Sequence, residues 1–273
     1  MSSQEEAKVQ PELVAERRGR VLILRINRPE ARNALSPSVI AGIGNGVTDA
    51  ETDDRVGVVV ITGTGDRAFC AGMDLRGFAT GQTVGGQPPL DEATAARGSA
   101  GYFTFIREGI SKPVIGAANA TAVAGGFELL LACDMVVASE KAQFGLPEVK
   151  RGLFAAGGGT QLGRRVPIGF AMELALTGDT IDAQRAAAMG LVNSVVPAER
   201  VLDEAIALGE RIAANGPLAI AATKRLMRVA FNDGPAAGWE LQAELQPTVF
   251  GSEDAKEGAL AFIERRPPEF KGR

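Results

Sequence analysis

Glu128 stands in the stretch AVAGGFELLLACD, residues 122 to 134, among glycines, a phenylalanine and three leucines. Charged side chains are rarely buried unless paired, because burial strips their hydration. A carboxylate in such a setting is a candidate proton acceptor or donor. A second, Glu148, follows in FGLPEV, with a helix and a strand between them. A helix running out and a strand running back could bring both to one cavity. Alone, Glu148 reads as a surface carboxylate. Glu128 also has a plainer reading as an acid in a first helical turn. A capping box, however, wants Ser or Thr three residues earlier, and that position is Gly125.

The chain contains no histidine. Ser-His-Asp and Cys-His nucleophile systems, histidine zinc sites and histidine bases are therefore excluded within it. Acid–base work falls to Asp, Glu, Lys or the single tyrosine, Tyr102. Two glycine-bearing segments could supply backbone donors. Gly125 and Gly126 lie where a helix begins, so their N–H groups are unsatisfied donors at the positive end of its dipole, suited to an enolate oxygen. In AFCAGMDL, residues 68 to 75, Gly72 would let N–H groups face a cavity, although taken alone the segment reads more safely as a small-residue turn packed against the core. VGVVVITGTGDRA offers Gly63, Gly65 and Ala68 as a dinucleotide-binding fingerprint. The helix that should follow is broken by Gly72 and Gly77, and no second strand ending in an acid arrives on time.

These groups need elements to hold them. LVAERRGRVLILRIN predicts two strands around an Arg-Gly turn, and Ser36-Pro37 starts a helix. VGVVVIT, PVIGAANA and MVVAS are short apolar runs suited to buried parallel strands. Residues 63 to 101, containing GQTVGGQPP, read as an irregular glycine-rich loop. From about residue 167 helical patterns dominate, interrupted by the short strand LVNSVV. Strand alternating with helix, then helices alone, indicates an α/β core with a helical C-terminal extension. The expected division is a flexible tail over 1–12, a core over 13–200 and a helical oligomerisation region over 201–273.

Composition fits this picture: 45% hydrophobic and 23% charged residues, as in a folded soluble domain. A net charge of −4 with scattered Lys and Arg argues against nucleic acid or an anionic membrane as partner. No apolar run approaches bilayer length, and MSSQEEAKVQPE lacks the apolar centre of a signal peptide. Two cysteines, Cys70 and Cys133, make neither a disulfide framework nor a metal cluster, so a cytoplasmic setting is expected.

In order along the chain, NRPEARNALS, AFCAGMDL, AVAGGFELLLACDMVVASEKAQFGLPEV, GLFAAGGGTQLGRRV and TIDAQRAAAMGLVNSVVP resemble the crotonase (enoyl-CoA hydratase/isomerase) superfamily, as does the closing FGSEDAKEGALAFIERRPPEFKG. The resemblance spans about residues 13 to 271. It implies a fold of stacked ββα turns with a helical region used for trimerisation, often as a dimer of trimers. It also implies an acyl-CoA thioester substrate and no metal or other cofactor, coenzyme A being part of the substrate. By position, Met73 and Gly125 would give the oxyanion-hole N–H groups. Ala31, Ala71, Asp74, Leu75 and Arg76 would line the CoA site, and Phe262 and Arg265 would close over it, from a neighbouring subunit in some family members. Glu128 and Glu148 match the catalytic pair of the hydratases. The implied activity is reversible syn hydration of a 2-enoyl-CoA. The alternatives are an enoyl-CoA isomerase, a specialised dehydratase of a carnitinyl-CoA-like substrate, and a non-catalytic or RNA-binding member. Phe127 and the AAGGG turn at 155–159 depart from the common family pattern and are expected near the acyl end.

Overall fold

The computed structural model describes residues 10–74 and 90–273. Residues 1–9 of the expected tail, Leu75, Arg76 and GQTVGGQPP lie outside the described residues. In chain order the strands are β1 (Leu13–Arg18), β2 (Val21–Ile26), β3 (Val58–Gly63), β4 (Val114–Ala118), β5 (Ala122–Val123), β6 (Met135–Ser139), β7 (Gln143–Gly145), β8 (Thr180–Asp182) and β9 (Ser194–Val196). The helices are α1 (Pro37–Thr52), α2 (Glu92–Glu108), α3 (Gly125–Ala132), α4 (Leu162–Arg165), α5 (Ile168–Thr177), α6 (Ala183–Ala188), α7 (Val201–Ala213), α8 (Pro217–Asp233), α9 (Pro235–Gly251) and α10 (Glu253–Glu264).

Six strands form one sheet in the order β1-β2-β3-β4-β6-β9, parallel except for the β1–β2 hairpin. Three more, β5-β7-β8, form a small second sheet. The chain moves from the large sheet to the small one twice, β4 to β5 and β6 to β7. Because β4 pairs with β6 and β5 with β7, both in parallel, the successive turns stack.

Alternation along the strands fills two apolar layers. Leu24, Ile26, Val59 and Ile61 face the core shared with α1, α2 and α3. Val21, Ile23, Val58 and Val60 face the other way, onto Val201, Ala205 and Ile206 of α7. By packing, α7 thus belongs to the layered core. The helices that leave the core begin with α8. No residue of α8 is buried, and polar contacts dock it. Lys224 and Arg228 pair with Asp134 at 2.6 and 2.8 Å, while Lys224 Nζ also donates to the Lys112 carbonyl. A groove of about 1090 Å³ separates α8 and α9 from the core. Met227, Phe231, Trp239, Phe250, Phe262 and Ile263 of α8–α10 are exposed apolar side chains.

The expected loop over 63–101 is replaced from Glu92 by helix α2, whose cap Asp91 accepts from the Thr94 N–H. Its glycines mark a close helix crossing. A Cβ on Gly98 would sit 2.2 Å from the Ala41 carbonyl oxygen, and one on Gly44 1.7 Å from that of Gly98. Only two bare backbones fit there. Gly98→Ala is therefore expected to cost ~1–3 kcal/mol in urea unfolding. An unchanged midpoint would show that the helices can part freely.

Candidate active site

The parallel pairing of β5 with β7 explains how two carboxylates twenty positions apart become neighbours. Ala122 lies opposite Phe144 and Val123 opposite Gly145, and the Ala124 N–H continues the ladder to the Gly145 carbonyl at 3.0 Å. The segments leaving these strands start side by side. One is α3, carrying Glu128 in its first turn, and the other is a 3-10 turn, Pro147–Arg151, carrying Glu148.

Glu128 is 5% exposed. Its Oε1 accepts N–H groups from Gly157 and Gly159, each at 2.8 Å. Burial raises its pKa, the Gly159 amide opposes the rise, the charge of Glu148 adds to it, and the Gly157 amide opposes it. Glu148 is half-buried, and its Oε2 is wholly buried without a hydrogen-bond partner among the described residues. Burial raises its pKa too, partly offset by its own backbone N–H and by Arg151. One carboxylate is thus held in place, and the other keeps an oxygen unspent. Tyr102, the remaining acid–base candidate, is buried in α2, which pushes its pKa upward and keeps it protonated near neutrality.

The backbone donors form beside this pair. The Leu35 N–H donates to the Gly72 carbonyl at 2.8 Å, and the Asp74 N–H donates to the Leu35 carbonyl at 3.2 Å. This parallel bridge turns the Met73 N–H, which lies between them, away from Leu35. Gly125 opens α3, so its N–H has no intrahelical acceptor. Among the described residues neither N–H finds a hydrogen-bond partner. The close approach of the two depends on Gly72, whose φ is 88°: a Cβ there would meet the Ala124 Cβ at 2.7 Å and the Gly125 nitrogen at 3.0 Å. A Cβ on Gly125 would be crowded by Leu35 Cδ1 at 3.1 Å. Ala124, with φ 51° and ψ −134°, holds a strained backbone that aims the helix start.

Other expected residues are placed as follows. Ala71 joins the turn bearing Ala31 through its N–H to the Arg32 carbonyl at 3.1 Å. The Asp74 carboxylate meets Arg28 Nη2 at 3.2 Å. Phe262 and Arg265 are exposed at the end of the last helix. The Phe127 ring is buried against Phe144, with centroids 5.8 Å apart. The glycines at 157 and 159 went unassigned in the sequence reading. Their signal was a run of three glycines before a short helix, whose amides cradle Glu128. Cys70 and Cys133 are buried thiols pushed up to about 12 by desolvation, which makes them inert.

The family profile described as Enoyl-CoA hydratase/isomerase matches residues 16–273. A 2,3-dehydroadipyl-CoA hydratase from Escherichia coli K12 is 38% identical over 96% of this chain and 99% of its own. A carnitinyl-CoA dehydratase from Proteus mirabilis is 39% identical over 94% of this chain and 97% of its own. The crystal structure of an enoyl-CoA hydratase from Mycobacterium tuberculosis H37Rv superposes with TM-score 0.86 at 44% identity, covering 97% of this chain and all of that one. The chain therefore belongs to the enoyl-CoA hydratase/isomerase family of the crotonase superfamily.

Proposed function

We propose that this protein is an enoyl-CoA hydratase, a hydro-lyase that adds water reversibly and syn across the C2=C3 bond of a 2-enoyl-CoA. The observation that carries the reading is the buried Glu128 and half-buried Glu148 beside two unspent amides. Glu128 takes a proton from water as the water oxygen bonds to C3. The C2=C3 electron pair moves into the thioester, giving an enolate whose oxygen lies between the Met73 and Gly125 N–H groups. Each such donor supplies ~3–4 kcal/mol. Glu148, protonated, delivers its proton to C2. The proton gained by Glu128 returns to Glu148 through water, restoring the starting state. Neighbouring carboxylates resist double ionisation, so one proton shared by the pair is the working form.

A double-bond isomerase needs a single proton shuttle between C2 and C4. Two carboxylates support hydration or its reverse instead, and the relatives' names include both a hydratase and a dehydratase. No metal or further cofactor has a role in this scheme, coenzyme A being part of the substrate. The exposed apolar residues of α8–α10 support self-association as a trimer or a dimer of trimers. In that assembly Phe262 and Arg265 would close over a neighbour's CoA, beside Ala31, Ala71, Asp74, Leu75 and Arg76. A cytoplasmic location accords with the composition.

Purified protein should consume crotonyl-CoA, read as loss of the conjugated enoyl-thioester absorbance. Glu128→Gln and Glu148→Gln should each lower kcat ~10²–10⁴-fold with CoA-ester binding kept. Near-normal turnover in either removes that residue from the mechanism. A Cβ on Gly157 would sit 2.7 Å from Glu128 Oε2. Gly157→Ala should accordingly lower kcat ~10-fold or more in a folded protein, and full activity would show that the amide cradle is dispensable.

The pH dependence has a definite sign. With its folded pKa raised, Glu128 costs no stability below the ordinary carboxylate range, where it is protonated folded or unfolded. The cost grows as pH rises above that range and is complete once pH has passed the raised value. Glu128→Gln should melt above the parent in mildly alkaline buffer and level with it in acid. The opposite ordering would mean that ionised Glu128 stabilises the fold.

A further inference from the structure

The motif NRPEARNALS, which supplies Leu35 to the bridge at Met73, also surrounds the most deeply buried cation among the described residues. Arg28 is 1% exposed. Its Nε lies 3.1 Å from Glu12 Oε1, its Nη1 donates to the Ala34 carbonyl at 2.8 Å, and its Nη2 meets Asp74 Oδ2 at 3.2 Å. Glu12 is itself buried, and its other oxygen accepts from the Ser36 hydroxyl, so residue 12 belongs to the packed structure and not to the tail. The turn around this guanidinium is strained: Arg32 and Asn33 both have positive φ, 52° and 54°. Asn33 holds it shut. Its Oδ1 accepts from the Arg28 N–H at 3.0 Å, and its Nδ2 donates to the carbonyls of Thr64 and Ala68 at 2.9 and 2.7 Å.

Apart from the contacts with Glu12 and the Asn33 bond to the Arg28 N–H, these bonds lead toward the loop that carries Met73. Thr64 and Ala68 bracket the approach to the 70–74 loop. Ala34 precedes Leu35, which fastens both peptides flanking Met73, and Asp74 is the next residue in the chain. A burial this costly must be matched by well-placed partners, and such networks specify geometry better than they add stability.

We propose that Arg28, clamped between Glu12 and Asp74, is a positioning residue that sets the direction of the Met73 N–H. It acts on the oxyanion through Asp74 without touching substrate. The proposal deepens the hydratase reading and rests on Met73 being a thioester donor. It also separates two roles for Asp74. A CoA contact would show in KM, whereas a clamp would show in kcat and in the polarisation of the bound carbonyl.

Arg28→Met leaves the buried Glu12 and the half-buried Asp74 without their cation and risks misfolding, so Asp74 carries the test. In Asp74→Ala, checked for native melting, kcat for crotonyl-CoA should fall ~10–100-fold with KM nearly unchanged. The red shift that a bound 2,4-dienoyl-CoA shows when its thioester carbonyl is polarised should shrink in parallel. Asp74→Asn, whose amide oxygen still accepts from Arg28, should recover most of both. A raised KM with kcat and red shift intact would overturn the proposal and make Asp74 a CoA contact. Unchanged kcat and red shift would overturn it as well. The parent protein separates this from the hydratase reading. A red shift without hydration would sink hydration alone and leave the clamp supported by the spectra, while no red shift at all would sink both.

Discussion

A carboxylate enclosed by hydrocarbon is tolerated only where donors meet it, and much of this structure is arranged around that constraint at Glu128. Two amides of the 157–159 turn occupy one of its oxygens, which fixes the turn against α3. The same enclosure raises the energy of the charged form and so keeps the group ready to accept a proton. Glu148 arrives beside it because β7 lies parallel to β5, and its charge adds to the shift. The stacking of ββα turns therefore has a chemical consequence. It delivers two acids to one place from two separate passes of the chain.

The second half of the site is made of backbone, and its demands differ. Amide donors cannot be chosen by side chain, so their direction depends on neighbouring peptides and on strain. Met73 is aimed by the bridge to Leu35, and Gly125 by the unusual dihedrals of Ala124. Glycines at 72 and 125 permit the close approach. Preorganised donors of this kind need little rearrangement when charge develops, which is why strain at Ala124, Arg32 and Asn33 can persist.

Much of this was legible in the sequence, to differing degrees. β-branched runs such as VGVVVIT announced the parallel strands, and Ser36-Pro37 announced α1, because local chemistry decides both. Glu128 stood out because its neighbours are apolar. Glu148 did not, since its environment is created by a strand pairing that no local pattern encodes. The glycines of α2 misled for a related reason: Gly98 and Gly101 signal a loop by propensity but serve a helix crossing fixed by tertiary contact. The packing of Phe127 against Phe144 was not legible, because position in a motif does not tell which face of α3 a residue takes. The Arg28 cluster joins residues 12, 28 and 74, a separation beyond any local reading.

The most direct test of the central claim is the crystal structure of the protein with acetoacetyl-CoA bound. The thioester oxygen should lie ~3 Å from both the Met73 and Gly125 nitrogens, with the C3 oxygen between the carboxylates of Glu128 and Glu148. An acyl group seated elsewhere, for instance in the groove beneath α8, with those amides and acids left untouched, would contradict it.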